Sequence, residues 1–321
     1  MSRALYTSVS GLKAHQTKMD VIANNIANVN TYGYKTSRAT FRDVFYQNIS
    51  AGGGSNAAAG GLGGINPYQV GYGAAVASVD TNHANTGYAT TNIGSDCYIN
   101  GTGYFIVGSL QAGSTTDIGQ VYYSRVGMFE FDEAGWLVDI TGQLVCGIPT
   151  PSAGSGGSGA NNSFTHAELR PIRIDYATLN GNPAMPLNNI KIGSDGVVSA
   201  VGADGITYAF TDTGDIVAIS GTTPATDGFM AIALAQVPNP AGLEMVGNSY
   251  YTTSGNTGEP LYYQTGTNNM GSLRTGGLEM SGTDISQEFA DMIMTQRGFQ
   301  ANARIINVVD GMLEEVVNLK R

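Results

Sequence analysis

Two stretches at opposite ends of the chain carry an apolar stripe with helical spacing. Leu5, Val9, Leu12, Gln16, Met19, Ala23 and Ile26 alternate steps of four and three, the rhythm of a coiled-coil seam, and predict a helix over 3–28. Ile285, Phe289, Met292, Gln296, Phe299, Ala303, Ile306, Asp310, Leu313 and Val317 repeat that rhythm. Asp284, with Gln287 three residues on, supplies the N-cap of this second helix. Between them the pattern changes to short β-branched and aromatic runs, which predict strands at 104–107, 121–124, 129–131, 197–201, 207–210 and 230–234. Asn100-Gly101, Asp195-Gly196 and Asp204-Gly205 supply the pairs that close tight hairpins. The fold class is therefore α+β: a discontinuous β-rich domain flanked by N- and C-terminal helices that pair in a coiled-coil-like bundle.

The stripes do not use up the apolar surface of the helices. Val21, Ile22, Ile293, Met294, Ile305, Val308 and Val309 lie off them, so an isolated pair leaves these residues wet. Ordering about sixty residues costs an entropy similar in size to what one seam's burial returns. Two readings follow: a helical hairpin capping the β-domain, or helices completed by neighbouring copies as they assemble. Gln16 and Gln296 on the stripes suit residues that fix register. Gly298 and Gly311 each weaken the second helix by about 1 kcal/mol relative to Ala.

Composition narrows the classes. The 321 residues include 45 glycines, about twice the usual share, while charged residues make up 12 %, about half the usual share. Two segments, 51–64 and 152–163, are Gly- and Ser-rich and read as linkers or long loops. A net charge of −10 argues against a nucleic-acid partner. No apolar run suits membrane insertion, and the first residues lack the apolar core of a secretory signal, so export, if it occurs, takes a route without one.

No catalytic, cofactor-binding or metal site is expected. His15, His83 and His166 sit in separate segments without ligand spacing and read as surface residues. Gly101-Thr102-Gly103 lies between strand-like runs rather than before a helix, which disfavours a dinucleotide loop and makes a hairpin turn the better reading. Asp195, Asp204, Asp212 and Asp215 lack the spacing of a calcium loop. Cys97 and Cys146 read as buried small hydrophobes. The classes that remain are a structural polymer, a β-rich adhesin or carbohydrate-binding protein, and an enzyme, the last disfavoured by the lack of clustered ionisable groups.

The two end segments, SGLKAHQTKMDVIANNIANVNTYGYK from Ser10 and QEFADMIMTQRGFQANARIINVVDGMLEEVVNLKR from Gln287, resemble the terminal motifs of the axial proteins of the bacterial flagellum, its rod and hook subunits. NGTGYFIVG from Asn100, YSRVGMFEFDEAGWLVD from Tyr123 and VPNPAGLEMVGNSYY from Val237 resemble the β-domain of the same family. The resemblance implies a homopolymer in which residues 1–30 and 281–321 form an inner helical tube. Residues 31–148 and 189–280 form the β-domain, and 149–188 form a small insert or rudimentary outer domain. Leu5, Val9, Leu12, Met19, Ile26, Ile285, Phe289, Met292, Phe299, Ile306, Leu313 and Val317 become the assembly residues, and Asn24, Asn25, Asn28, Gln300 and Asn302 face an export channel. NPYQVGYGAAVASVDTN from Asn66 and the ending NLKR resemble hook more than rod subunits, although 321 residues is short for a hook subunit. The expectation is a hook subunit that transmits torque, with a distal rod subunit as the alternative. Implied partners are copies of itself, rod and hook–filament junction proteins, the hook cap and the type III export apparatus. The implied location is the hook or basal body, reached without a cleaved signal peptide. Charge-poor surfaces then suit β-domains that shift past one another, since few ion pairs have to be broken.

Overall fold

In the computed structural model the described residues are 2–54, 64–111, 118–149, 164–174, 188–201, 207–211, 216–218, 229–268 and 270–319. The chain divides into two compact units. The first comprises Met1–Val29, Thr36–Asn82 and Thr283–Arg321, and the second comprises Asn30–Lys35 and His83–Gly282.

The first unit holds both predicted helices, α1 (Ser2–Ala27) and α2 (Ile285–Asn318). Asp284 caps α2 as expected, its side chain accepting from the backbone N–H groups of Ser286 and Gln287 at 2.9 and 3.3 Å. That arrangement satisfies two of the orphan donors of the first turn. The same unit contains a long antiparallel ribbon that helical and strand periodicity did not reveal. β1 (Ser37–Asp43) pairs with β4 (Ala74–Thr81), and β2 (Tyr46–Ser50) pairs with β3 (Tyr68–Gly71). All five residues of β2 are exposed. A strand wet on both faces has no reason to alternate, which is why it left no signal.

The second unit is built on a ten-stranded antiparallel sheet whose centre is formed by Ile118–Ser124, Tyr104–Leu110, Met230–Gln236 and Leu144–Pro149. Successive residues feed opposite faces: Phe105 and Val107 join one apolar cluster, Tyr104 and Ile106 the other. Ile232 and Leu234 likewise oppose Ala233 and Ala235. Coverage on both sides explains why these segments read as continuous apolar runs. Val198 and Phe210, from a four-stranded meander running from Asn188 to Ala218, pack into the first cluster.

All six predicted strands are present, within a few residues of their expected bounds. Asp195-Gly196 lies in the connection between Asn188–Ile192 and Val198–Val201, which pair as a hairpin, with Gly196 at φ +81°. Asn100-Gly101 does not close one. The strand before it, Cys97–Asn100, pairs with Ser272–Thr275, whereas the strand after it pairs with Ile118–Ser124. Gly101, at φ +128°, instead carries the chain from one sheet into another. Asp204-Gly205, the 152–163 segment and most of 51–64 lie outside the described residues. Within 149–188, Arg170–Pro171 pairs with Leu144–Pro149, and Leu169, Ile172 and Ile174 are buried in the second unit's core.

Candidate assembly surface

The two helices pack antiparallel, but each turns a different face to its partner than the apolar stripe predicts. A Cβ on Gly11 would sit 2.7 Å from the Asn302 side chain, and one on Gly298 would sit 2.7 Å from the His15 ring. Lys18 Nζ lies 3.4 Å from Asp291 Oδ1. Near the other end Asn25 Nδ2 donates to Glu288 Oε1 at 2.9 Å. The seam therefore runs through Gly11, His15, Lys18 and Asn25 against Asn302, Gly298, Asp291 and Glu288, one residue before the predicted positions. Small and polar side chains occupy it because they allow close approach and hydrogen bonding across the pair.

Asn25 is the hub of this arrangement. Only 1 % exposed, it also donates to the Ser37 carbonyl at 2.8 Å and accepts from the Ser37 N–H at 3.1 Å, which fixes the start of β1. The Thr283 hydroxyl reaches the Asn25 carbonyl at 3.3 Å. Burial raises the pKa of Glu288 above the usual carboxylate value, and the Asn25 hydrogen bond opposes that rise. Asn25 thus faces the protein and not a channel, and Asn302 lies against Gly11. Asn24 and Gln300 are exposed.

The apolar stripe is left substantially open. Phe289 is 50 % exposed and Val317 68 %, while Val9, Ile285, Phe299 and Leu313 are also exposed. Leu5, Leu12, Met19, Ile26, Met292 and Ile306 are half-buried. The off-stripe residues Ile293, Met294, Ile305 and Val308 are exposed too, whereas Ile22 and Val309 are buried. Phe45, 76 % exposed, and Tyr46, Ile49, Ile65 and Tyr68 extend the open apolar surface along the ribbon. Among the described residues, the hydrophobic side chains that the first unit buries are Ala14, Ile22 and Val309 alone. A two-helix and ribbon unit with so small a core cannot be held by its own apolar burial. Open apolar surface on this scale marks an interaction face.

Among the described residues, the second unit contains the densest group of buried charges. Lys35 Nζ donates to Glu279 Oε1 and to the Ala84 carbonyl, both at 2.7 Å. The Thr86 N–H and hydroxyl also donate to Glu279 Oε1, each at 3.1 Å. Arg125 Nη1 stands 3.6 Å from Glu279 Oε2, and Arg125 Nη2 donates to the Gly101 carbonyl at 3.0 Å. Burial pushes the Lys35 ammonium below its usual range, against the pull of Glu279. The nearby His83 is half-buried rather than a surface residue: its Nδ1 lies 2.8 Å from the Tyr104 hydroxyl. Burial, followed by the charges of Lys35 and Arg125, brings its pKa down to about 4. His15 is also half-buried, edge-on to Phe41, and His166 is exposed. Cys97 and Cys146 are buried free thiols, and burial pushes both upward. These charged residues are widely separated in the chain, so no local spacing announced them.

Residues 5–35 match the family described as flagella basal body rod protein, 98–200 the flagellar hook protein FlgE/F/G D1 domain, and 274–319 the flagellar basal body rod FlgEFG protein C-terminal. The chain is 37 % identical over 322 residues to the flagellar basal-body rod protein FlgG of Bacillus subtilis (strain 168), with 100 % of each chain covered. It is 30 % identical to the flagellar basal-body rod protein FlgG of Buchnera aphidicola subsp. Acyrthosiphon pisum, covering 99 % of this chain and 100 % of the relative. It is 29 % identical over 453 residues to the flagellar hook protein FlgE of Borreliella burgdorferi, with 100 % of each covered.

Proposed function

Because the chain belongs to the flagellar rod and hook axial protein family, we propose that it is a non-catalytic structural subunit of the distal rod. In this reading it polymerises with copies of itself through its terminal helices. The observation that carries the assembly reading is the first unit's imbalance: three buried hydrophobic residues against a long open apolar surface on both helices and the ribbon. Copies of the chain supply the missing burial, and the open stripe residues, including Phe289, Phe299, Leu313 and Val317, meet neighbouring helices.

Chain length favours rod over hook. The alignment with the Bacillus rod protein occupies 322 positions with both chains fully covered, so that relative carries about one residue at most without a counterpart in this chain's 321. The alignment with the Borreliella hook protein occupies 453, at least 132 more than this chain's 321 residues, so the hook relative carries substantial segments that this chain lacks. The hook reading retains the support of that full-length similarity at 29 % identity. Under either reading the subunit is exported by the flagellar apparatus, and its neighbours are rod, hook and junction subunits.

Electron microscopy of cells lacking the gene separates the two. Incomplete rods support the rod reading, while complete rods without hooks would overturn it in favour of the hook. Removal of residues 1–28 and 284–321 tests the assembly mechanism, since tubes formed by that truncated chain would exclude assembly through the helices.

A further inference from the structure

Within the second unit a pocket of about 330 Å³ is lined by His83, Asn85, Tyr104, Arg125, Gln236 and Pro238, among others. Arg125 is 3 % exposed, and its Nε and Nη1 have no hydrogen-bond partner. Two buried cations, Lys35 and Arg125, share the single carboxylate of Glu279. Oε1 of that carboxylate is occupied by Lys35 and Thr86, and Oε2 stands 3.6 Å from Arg125 Nη1, beyond hydrogen-bonding distance for a charged pair. A buried guanidinium with two unused donors and half a counter-charge is costly, and a second carboxylate relieves both deficits. The pocket gives such a group a way in. Its wall joins apolar surface from Val237, Pro238 and Pro240 to the amides of Asn85 and Gln236. That combination suits a carboxylate on a short aliphatic stem.

We propose that this pocket binds a carboxylate against Arg125. The site belongs to the second unit alone and does not depend on whether the chain serves in rod or hook. Its ligand is either a small free carboxylate or an Asp or Glu side chain presented by a second copy.

The test uses the full-length chain with ¹⁵N-labelled arginine, titrated with sodium acetate against sodium chloride at constant ionic strength. Acetate is expected to shift the Arg125 Nε resonance saturably while exposed arginines such as Arg304 stay still. It should also raise the unfolding midpoint by about 2 °C at a tenfold excess over Kd. An Arg125 resonance that acetate leaves unmoved overturns the proposal, and so does a shift that chloride reproduces. Arg125→Lys should abolish the rise in unfolding midpoint, and a rise as large as that of the unsubstituted chain would overturn the proposal. Should that variant not fold, Gln236→Glu, which brings its own carboxylate to the pocket wall, decides: an undiminished response to acetate in this variant overturns the proposal. Uptake of ¹³C-acetate then identifies the source. One equivalent per subunit in monomer and polymer alike points to a free ligand, uptake by the monomer alone to a carboxylate from a second copy, and uptake by neither refutes the site.

Discussion

Lys35 and Glu279 form a 2.7 Å ion pair in which both side chains are 1 % exposed. Removing Glu279 leaves Lys35 and Arg125 charged and buried without their shared carboxylate, a change that costs about 3–5 kcal/mol, whereas removing Lys35 leaves Glu279 with Arg125 as its counter-charge. Glu279→Gln is therefore expected to lower the urea midpoint sharply, and Lys35→Met to lower it less. A Glu279→Gln variant that unfolds at the wild-type urea concentration would contradict this account.

Asn25 holds Ser37 by two hydrogen bonds and Glu288 by a third. Asn25→Ala removes the partner of these half-buried groups and should destabilise the first unit by about 1–2 kcal/mol. Hydrogen exchange reads this locally: the Ser37 amide should lose protection while amides of the central sheet, such as Leu234, keep theirs.

Phe289 and Val317 make their main contribution outside the monomer. Phe289→Asp and Val317→Asp are expected to move monomer stability by no more than about 0.5 kcal/mol, as is usual for exposed positions. Each should abolish polymer formation in sedimentation assays. Polymers of wild-type length from both variants would exclude the open stripe as the assembly face.

Gly298 and Gly311 both sit inside α2, yet only Gly298 faces a neighbour, the His15 ring, while nothing lies within 4 Å of a Cβ on Gly311. Gly311→Ala should stabilise the helix by about 0.5–1 kcal/mol through propensity alone. Gly298→Ala should gain less or lose stability, and His15→Ala in the same chain should restore the gain. Paired thermal melts measure the difference.

His83 has a folded-state pKa of about 4 against an unfolded value of 6.5. Between those values the unfolded chain binds more protons, so stability is fully present above pH 6.5, falls as the pH drops towards 4, and changes no further from this source below 4. Allowing for the ring's partial exposure, the loss is on the order of 1–2 kcal/mol. His83→Gln should flatten that part of the stability curve, as followed by urea unfolding at several pH values.

The helices, the Asp284 cap and the central strands were legible because each depends on local spacing. The apolar stripes located α1 and α2 within a residue or two, and the same stripes misjudged how the pair meets. Periodicity reports which face is apolar and says nothing of what covers it. Here the monomer uses the neighbouring face, through Gly11, His15, Lys18 and Asn25, and leaves much of the apolar one open. The Lys35, Arg125 and Glu279 group was invisible because its members are 90 and 154 residues apart and none sits in a charged run. The β1 to β4 ribbon escaped because exposed strands need no alternation. Its partner strands are recognised only once both are placed.

The Lys35–Glu279 bond also sets an order of events in time. Its two ends are 244 residues apart, so a chain that emerges N-terminus first presents Lys35 long before the carboxylate that receives it. Through that interval Lys35 has its Ala84 carbonyl acceptor within reach of the emerged chain but not the carboxylate that balances its charge. Arrival of Glu279 closes the loop and desolvates both charges together, at the entropic cost of a long-range contact. The pair thus forms only in a chain that has been delivered as far as Glu279.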